Sequence, residues 1–152
     1  MEASRSALTQ ADLCALEETL FAWRKKPVSW LMDTFGDIPF CLASLKKAGE
    51  EGRIIRFLEE GTFRGLLLFD IGRPWWTPHT VCAEEFVLAV RGARGIQRAA
   101  IQAIEDIAAL YGAKLIVAGN IFQENNHLIG NGYKKHAFRQ ACATYVKEVE
   151  EP

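Results

Sequence analysis

The sequence contains little that would bind a metal, cross a membrane or hold a polyanion. It has three histidines and four widely separated cysteines without a C-x-x-C pair, namely Cys14, Cys41, Cys82 and Cys142. This spacing excludes the usual zinc motifs and favours reduced, mostly buried thiols in a cytoplasmic protein. No apolar run approaches the about 18 residues of a membrane span, and the first residues lack the pattern of a signal peptide. The net charge of −1 gives no support for nucleic-acid binding.

The composition is that of an ordinary globular domain. Hydrophobic residues make up 49% of the 152 residues and charged residues 24%, and a chain of this length buries about two-thirds of its unfolded surface. The patterning indicates an α+β fold in one domain, residues 1–152. Its parts are a helical region in 1–50, antiparallel strands in 53–90, and a glycine loop, a helix and C-terminal strands in 91–152.

Helical patterns dominate the first third of the chain. Thr9 is suited to cap a helix in which Asp12 stands at the third position, and apolar residues then follow at a spacing of three and four. A second helical region covers about residues 28–48 and is interrupted near Gly36 and Pro39.

The period then changes to that of strands. Residues 53–60 and 63–71 form two strand-like runs joined by Gly61 and Thr62, which predicts a hairpin, and a third strand covers 80–90. The loop between the second and third strands carries two adjacent tryptophans between prolines.

The last third contains the clearest helix, residues 95–111, with one apolar face. Residues 114–119 are almost wholly apolar, which predicts a central strand buried on both faces. Strand, glycine loop, helix and buried strand make a βαβ unit. A short helix near 126–131 and strands near 137–139 and 143–149 complete the prediction.

The loop before the clearest helix carries three arginines, Arg91, Arg94 and Arg98, together with Gly92 and Gly95. Free amide groups at a helix start, glycines that allow close approach, and guanidinium groups together indicate an anion site, most naturally for a phosphate. The alternative is a solvated basic loop whose arginines pair with surface carboxylates.

A segment near the end gives a family resemblance. Asn126 is followed seven residues later by Tyr133 and twelve residues later by Phe138, just after the buried strand. This order resembles the second half of a GNAT-superfamily acyltransferase, and the chain is similar to short GNAT-like proteins encoded by tailed bacteriophages. The resemblance implies a mixed, mostly antiparallel sheet of about 6–7 strands flanked by helices. It also implies acetyl-coenzyme A as the cofactor and an amine substrate of unknown identity.

The resemblance implies roles for individual residues. Tyr133 would protonate the leaving thiolate, and Glu84, or Glu85 next to it, would act as the base. Asn126 would bind the pantetheine arm. The alternatives are a core tyrosine, a strand glutamate paired with Lys or Arg, and an N-cap asparagine. The strand that carries Glu84 has a bulge in the family, and the pantetheine-binding backbone would include Leu88, Ala89 and Val90.

The family wraps the pyrophosphate with a Q/R-x-x-G-x-G/A segment, and this chain departs from it. One register places Gly92 at the Q/R position, Gly95 at the first glycine and Gln97 at the last. A register shifted by two places Arg94 at the Q/R position, Gln97 at the first glycine and Ala99 at the last. Both registers put Gln97 where the family has almost bare backbone. The residues that would hold the pyrophosphate are Arg91, Gly92, Arg94, Gly95, Ile96, Gln97 and Arg98.

The sequence and the family resemblance leave two candidate functions. The first is an acetyl-coenzyme A-dependent N-acetyltransferase. The second is a non-catalytic GNAT-fold structural or interaction protein, such as a bacteriophage virion component in the virion or the host cytoplasm. Trp75 and Trp76 could line a substrate pocket, mediate self-association or partner binding, or fold back on the core.

Overall fold

The computed structural model describes residues 1–24, 30–90, 92–119, 127–141, 145 and 147–149. The helices are α1 (Gln10–Arg24), α2 (Trp30–Phe35), α3 (Ile38–Glu50), α4 (Ile96–Leu110) and α5 (His127–Lys135). The strands are β1 (Glu2–Arg5), β2 (Ile54–Glu59), β3 (Thr62–Gly72), β4 (Val81–Ala89) and β5 (Leu115–Val117). The five strands form one sheet in the order β1-β2-β3-β4-β5, antiparallel except for β4 and β5. The predicted α+β class and mixed sheet are confirmed, and the described part of the chain contains five strands where 6–7 were expected.

Two apolar layers cover the two faces of the sheet. On one face, α1 and α3 pack on β2, β3 and β4 through a core that includes Leu16, Leu45 and Leu66. On the other face, α4 packs on the same strands through a core that includes Phe69 and Ile104. Because both faces are covered, adjacent residues of a central strand can both be buried, as Leu66 and Leu67 of β3 are.

The start of α1 is fixed by reciprocal hydrogen bonds. The Asp12 amide donates to the Thr9 hydroxyl at 3.1 Å, and the Thr9 amide donates to the Asp12 carboxylate at 3.0 Å. The predicted capping residues are therefore confirmed. Asp12 also accepts from Arg56 of β2 at 2.6 and 3.1 Å, which ties the helix to the sheet.

Local turn geometry corrects one prediction and explains another. The hairpin between β2 and β3 turns at Glu60 and Gly61, with φ of 51° and 78°, whereas Gly61 and Thr62 were expected. Two positive φ values are typical of a type I′ turn, and glutamate adopts this conformation only at a cost. Pro39 lies in the first turn of α3 behind the cap Asp37. There the missing amide hydrogen costs nothing, so Pro39 lies inside the start of α3. The predicted interruption of the second helical region is confirmed, since α2 ends at Phe35 and α3 begins at Ile38.

The sequence carries no signal for strand β1, because three of its four residues, Glu2, Ser4 and Arg5, are polar and Ala3 is small. It pairs with β2 and is held by its last residue, Arg5, which donates to the Gly52 carbonyl at 2.7 Å and the Tyr111 hydroxyl at 2.8 Å. The strand therefore depends on tertiary contacts.

The βαβ unit is confirmed, since β4 and β5 are parallel and α4 joins them. The prediction that β5 is buried on both faces was wrong: Leu115 and Val117 are 47% and 51% exposed. An apolar run shows that a strand is preferred, but not what covers it. Of the strand predicted near 143–149, residues 143, 144 and 146 lie outside the described residues, and the described ones, 145 and 147–149, are not in a strand.

The strand predicted at 137–139 is replaced by a helix end. The Phe138 amide donates to the Tyr133 carbonyl at 3.1 Å and the Ala137 amide to the Lys134 carbonyl at 3.2 Å. Ala137 has φ of 66°. These are the bonds of a Schellman motif with the left-handed residue at the position that glycine usually occupies.

Ala137→Gly should therefore raise the free energy of unfolding by about 0.5–1 kcal/mol, because glycine adopts a positive φ without the steric cost of a Cβ atom. Ala43→Gly, on the exposed face of α3, should lower it by about 1 kcal/mol. Urea denaturation of both variants measures the difference, and two changes of the same sign would contradict the prediction.

Candidate active site

Strand β4 contains a bulge beside its two adjacent glutamates. Glu84 pairs with Phe69 of β3 and Phe86 pairs with Leu68, the preceding residue of β3. Glu85 therefore opposes no residue of β3, and two residues of β4 occupy the place of one. The bulge expected from the family resemblance is present.

The bulge reverses which side chains of β4 face each layer. Before it, Cys82 belongs to the core beneath α4; after it, Leu88 belongs to the core beneath α1 and α3. Without the extra residue, these two positions would share a face, because they are six residues apart. Glu84 shares a face with its partner Phe69, which packs beneath α4, and is 3% exposed.

The bulge also separates the roles of the two glutamates. Glu85 is exposed and pairs with Arg53 at 3.3 Å. An exposed pair of this kind contributes little to stability, at most about 1 kcal/mol. The alternative of a surface glutamate paired with a basic residue thus describes Glu85, and Glu84 is the buried carboxylate.

Tyr133 lies on α5, and its hydroxyl donates a hydrogen bond to a carboxylate oxygen of Glu84. The Tyr133 ring also packs against Phe138, with ring centroids 5.4 Å apart. The two residues proposed as acid and base are 49 positions apart in the chain. The fold therefore brings together a phenol, which can lose a proton, and a buried carboxylate, which can accept one.

Cys82 lies two residues before Glu84 and is fully buried. Burial raises the pKa of its thiol to about 11, with a further contribution from the charge of Asp70. The thiol is therefore protonated at neutral pH and does not act as a nucleophile. In the described part of the chain, no group of three or more His, Cys, Asp or Glu side chains is arranged to hold a metal ion.

The pairing between β4 and β5 covers only the first residues of β4. The parallel pairing joins only residues 81–83 of β4 to residues 115–117 of β5. Along the rest of β4, no described strand pairs with this edge. Peptide groups in this position can bind an extended ligand by adding it to the sheet. Leu88 is buried, so it would contribute only its backbone, while Ala89 is exposed and Val90 is half-buried.

Both glycines of the loop before α4 adopt a left-handed backbone conformation. Gly92 and Gly95 have φ of 81° and 76°, and Gly95 caps α4 without a side-chain hydrogen bond. Because glycine has no side chain, Gly95 cannot cap the first amide groups of α4. Ile96 is 3% exposed and fixes the first turn on the sheet, whereas Arg94 is exposed.

Three other predicted cofactor residues have different outcomes. Arg98 is exposed on α4. Arg91 and Asn126 lie outside the described residues, so their predicted contacts with the cofactor stay predictions.

Gln97 extends from the first turn of α4 to α5. A Cβ atom on Gly132 would lie 2.5 Å from Oε1 of Gln97, so the two residues pack more closely than any side chain at position 132 would allow. An open cavity of about 570 Å³ adjoins this contact; it is lined by Gln97, Asn131, Gly132, Lys134 and Lys135. No sequence signal links Gly132 to Gln97, which is 35 positions away.

Comparison with known proteins identifies the fold. No protein-family model matches the sequence, and no curated protein matches it. Solved structures do match: a probable acetyltransferase aligns over 100% of both chains with a TM-score of 0.71 and 13% identity. The chain has the GNAT fold.

Two further structures with this fold have named activities. A ribosomal-protein-alanine N-acetyltransferase from Brucella melitensis biovar Abortus 2308 aligns over 98% of this chain and 100% of its own, with a TM-score of 0.64 and 13% identity. An aminoglycoside acetyltransferase from an uncultured soil metagenomic sample aligns over 99% and 100%, with a TM-score of 0.62 and 16% identity. The neighbours of this GNAT-fold chain thus include acetyltransferases with different acceptors.

The tryptophan loop lies away from the core. Trp75 is 97% exposed and Trp76 is 57% exposed, so the alternative that both fold back on the core was wrong. Their predicted role in a pocket or an interface stays a prediction. None of the helices in the described ranges has the length and apolarity needed to cross a membrane.

The geometry of β4 predicts different effects for its two glutamates. Glu84→Gln should move the ¹³Cζ resonance of Tyr133, because the phenol then donates to a neutral amide in place of a carboxylate. Glu85→Gln, a matched change at an exposed position, should leave that resonance unchanged. Tyrosine labelled at Cζ gives three signals, and Tyr133→Phe assigns the relevant one. Equal displacements in the two variants would contradict the assignment of Glu84 to the buried face.

Proposed function

We propose that this protein is a GNAT-type acyltransferase that moves an acetyl group from acetyl-coenzyme A to an amine. The observation that carries the proposal is the contact between Tyr133 and Glu84 beside the part of the β4 edge that pairs with no described strand. A buried carboxylate and a phenol in contact supply both proton transfers that aminolysis of a thioester needs. The named acetyltransferases among the structural neighbours support the same reaction class.

The residues present fit coenzyme A in most respects. The backbone of Leu88, Ala89 and Val90 would pair with the pantetheine arm, and the amide groups after Gly95 would bind the pyrophosphate. Arg94 and Arg98 are exposed near these amides and would neutralise phosphate charge. Of the segment that wraps the pyrophosphate, only Gln97 carries a bulky side chain where the family has almost none.

Acetyl-coenzyme A supplies the acetyl group as an activated thioester. Glu84 accepts a proton from the amine, directly or through a water molecule, as the new C–N bond forms. Tyr133 donates its phenolic proton to the sulfur as the C–S bond breaks. The hydrogen bond between the two residues then carries the proton from Glu84 back to Tyr133, which restores the starting state. The products are an amide and a free thiol, so the atoms and charges balance.

The second candidate is a non-catalytic GNAT-fold structural or interaction protein, such as a virion component. Gln97 favours it, because a side chain in the pyrophosphate-binding segment can obstruct close approach of a phosphate. The two candidates differ in one property that requires no knowledge of the amine, namely whether coenzyme A binds.

Isothermal titration calorimetry with coenzyme A and acetyl-coenzyme A tests this difference. The acyltransferase should bind both, and coenzyme A at a concentration of 100 times its Kd should stabilise the fold by about 2.7 kcal/mol. No heat of binding and no rise in Tm at millimolar coenzyme A would overturn the proposal in favour of the non-catalytic candidate.

Tyr133→Phe should lower kcat by about 10²–10⁴-fold, because the leaving thiolate loses its proton donor. The affinity for coenzyme A should change little, since the phenol contributes to the chemical step. Tyr145→Phe is the matched control, as Tyr145 is 91% exposed. A Tyr133→Phe protein that loses affinity and turnover in equal measure would show that the residue has a structural role.

A further inference from the structure

The contact between Gln97 and Gly132 lies one residue away from Tyr133, and the role described below rests on the proposed function. Gln97 belongs to the first turn of α4, whereas Gly132 belongs to the middle of α5. We propose that Gln97 is a positioning residue for Tyr133: its side chain packs against the bare backbone of Gly132 and fixes α5 where the Tyr133 hydroxyl reaches Glu84.

Space, not backbone conformation, explains the glycine at position 132. Gly132 lies within α5 and not at a turn, so a positive φ is not the reason for it. A glycine inside a helix costs about 1 kcal/mol relative to alanine. A Cβ atom here would lie 2.5, 2.9 and 3.1 Å from Oε1, Cδ and Nε2 of Gln97. The whole amide group of Gln97 therefore occupies the space that a side chain would fill.

Two contacts on adjacent residues define the rotation of α5 about its axis. Consecutive residues of a helix point about 100° apart, so Gly132 can face α4 while Tyr133 faces β4. The base of the first contact is rigid, because Ile96 and Ala100 of α4 are 3% and 0% exposed against the sheet. A change at position 97 or 132 would therefore move the Tyr133 hydroxyl relative to Glu84.

The contact with Gly132 also gives a physical reason for the glutamine at position 97, where the GNAT pattern has a residue with almost no side chain. A glutamine at position 97 needs a partner without a side chain, and position 132 provides it. The two residues form one packing unit across α4 and α5, and this unit directs the Gln97 amide group towards α5.

The experiment measures the Tyr133 ¹³Cζ resonance in protein without ligand. Gly132→Ala should move this resonance most of the way to its position in Glu84→Gln, since the added methyl group meets the Gln97 amide. Gln97→Ala should move it as well, because α5 loses its contact with α4. The double variant Gln97→Ala with Gly132→Ala should lie closer to the native position than Gly132→Ala alone. The resonances of Tyr111 and Tyr145 should stay in place throughout.

The control is Gln102→Ala, a change of the same residue type on the exposed face of α4, where the side chain bonds Asp106 at 3.1 Å. It should leave the Tyr133 resonance unchanged. An unmoved resonance in Gly132→Ala, or a double variant no closer to the native position, would overturn the proposal. If Gly132→Ala does not fold, Gln97→Ala decides: an unmoved Tyr133 signal overturns the role of Gln97.

Failure of the positioning role is distinguishable from failure of the proposed function. A titration of the native protein with coenzyme A tests the function separately. Absence of binding overturns the acyltransferase, whereas the ligand-free Tyr133 signals in the variants show whether Gln97 positions α5.

Discussion

One extra residue in β4 determines the arrangement of the candidate site. The sheet pairs Glu84 with Phe69 and Phe86 with Leu68, and Glu85 has no opposite residue. With regular alternation, keeping Leu88 in the core beneath α1 and α3 would place Glu84 in that core too. The bulge instead turns Glu84 towards the face that carries α4 and leaves Glu85 in solvent. A strand bends and twists at such a residue, and β5 pairs with β4 only before this point.

A buried carboxylate requires compensation, which the second half of the fold provides. Transfer of an ionised group from water to a site that is 3% exposed is unfavourable unless the group is hydrogen-bonded. The Tyr133 hydroxyl donates such a bond to Glu84. The interaction stabilises the charge on Glu84 and places the phenol at the same point. The contact thus links the stability of the buried carboxylate to the position of the phenol.

The predictions from sequence succeeded where the determinants were local. Thr9 and Asp12 are three residues apart, so their hydrogen bonds follow from spacing alone. Strand β1 could not be predicted, because its position depends on the hydrogen bonds that Arg5 donates to Gly52 and Tyr111. The strand predicted at 137–139 was wrong, because an alanine with a positive φ at a helix end leaves no sequence signal comparable to that of a glycine.

Among the site residues, Glu84 and Tyr133 were proposed from family resemblance, and their contact could not be inferred from spacing. The choice between Glu84 and Glu85 required the register of β3.

Gln97 shows why a motif read residue by residue can mislead. In the glycine pattern, a side chain at this position is expected to weaken phosphate binding, because the peptide groups must approach the phosphate. The effect of a side chain, however, depends on the direction in which it extends. Gln97 extends to α5, where Gly132 leaves room for it, so its amide group is engaged with a helix that the motif does not contain. Because Gly132 precedes Tyr133, a departure in the segment that would bind phosphate is linked to the residue that would protonate the thiolate. Substitutions at positions 84, 97, 132 and 133 must therefore be judged together, since each changes the environment of the others.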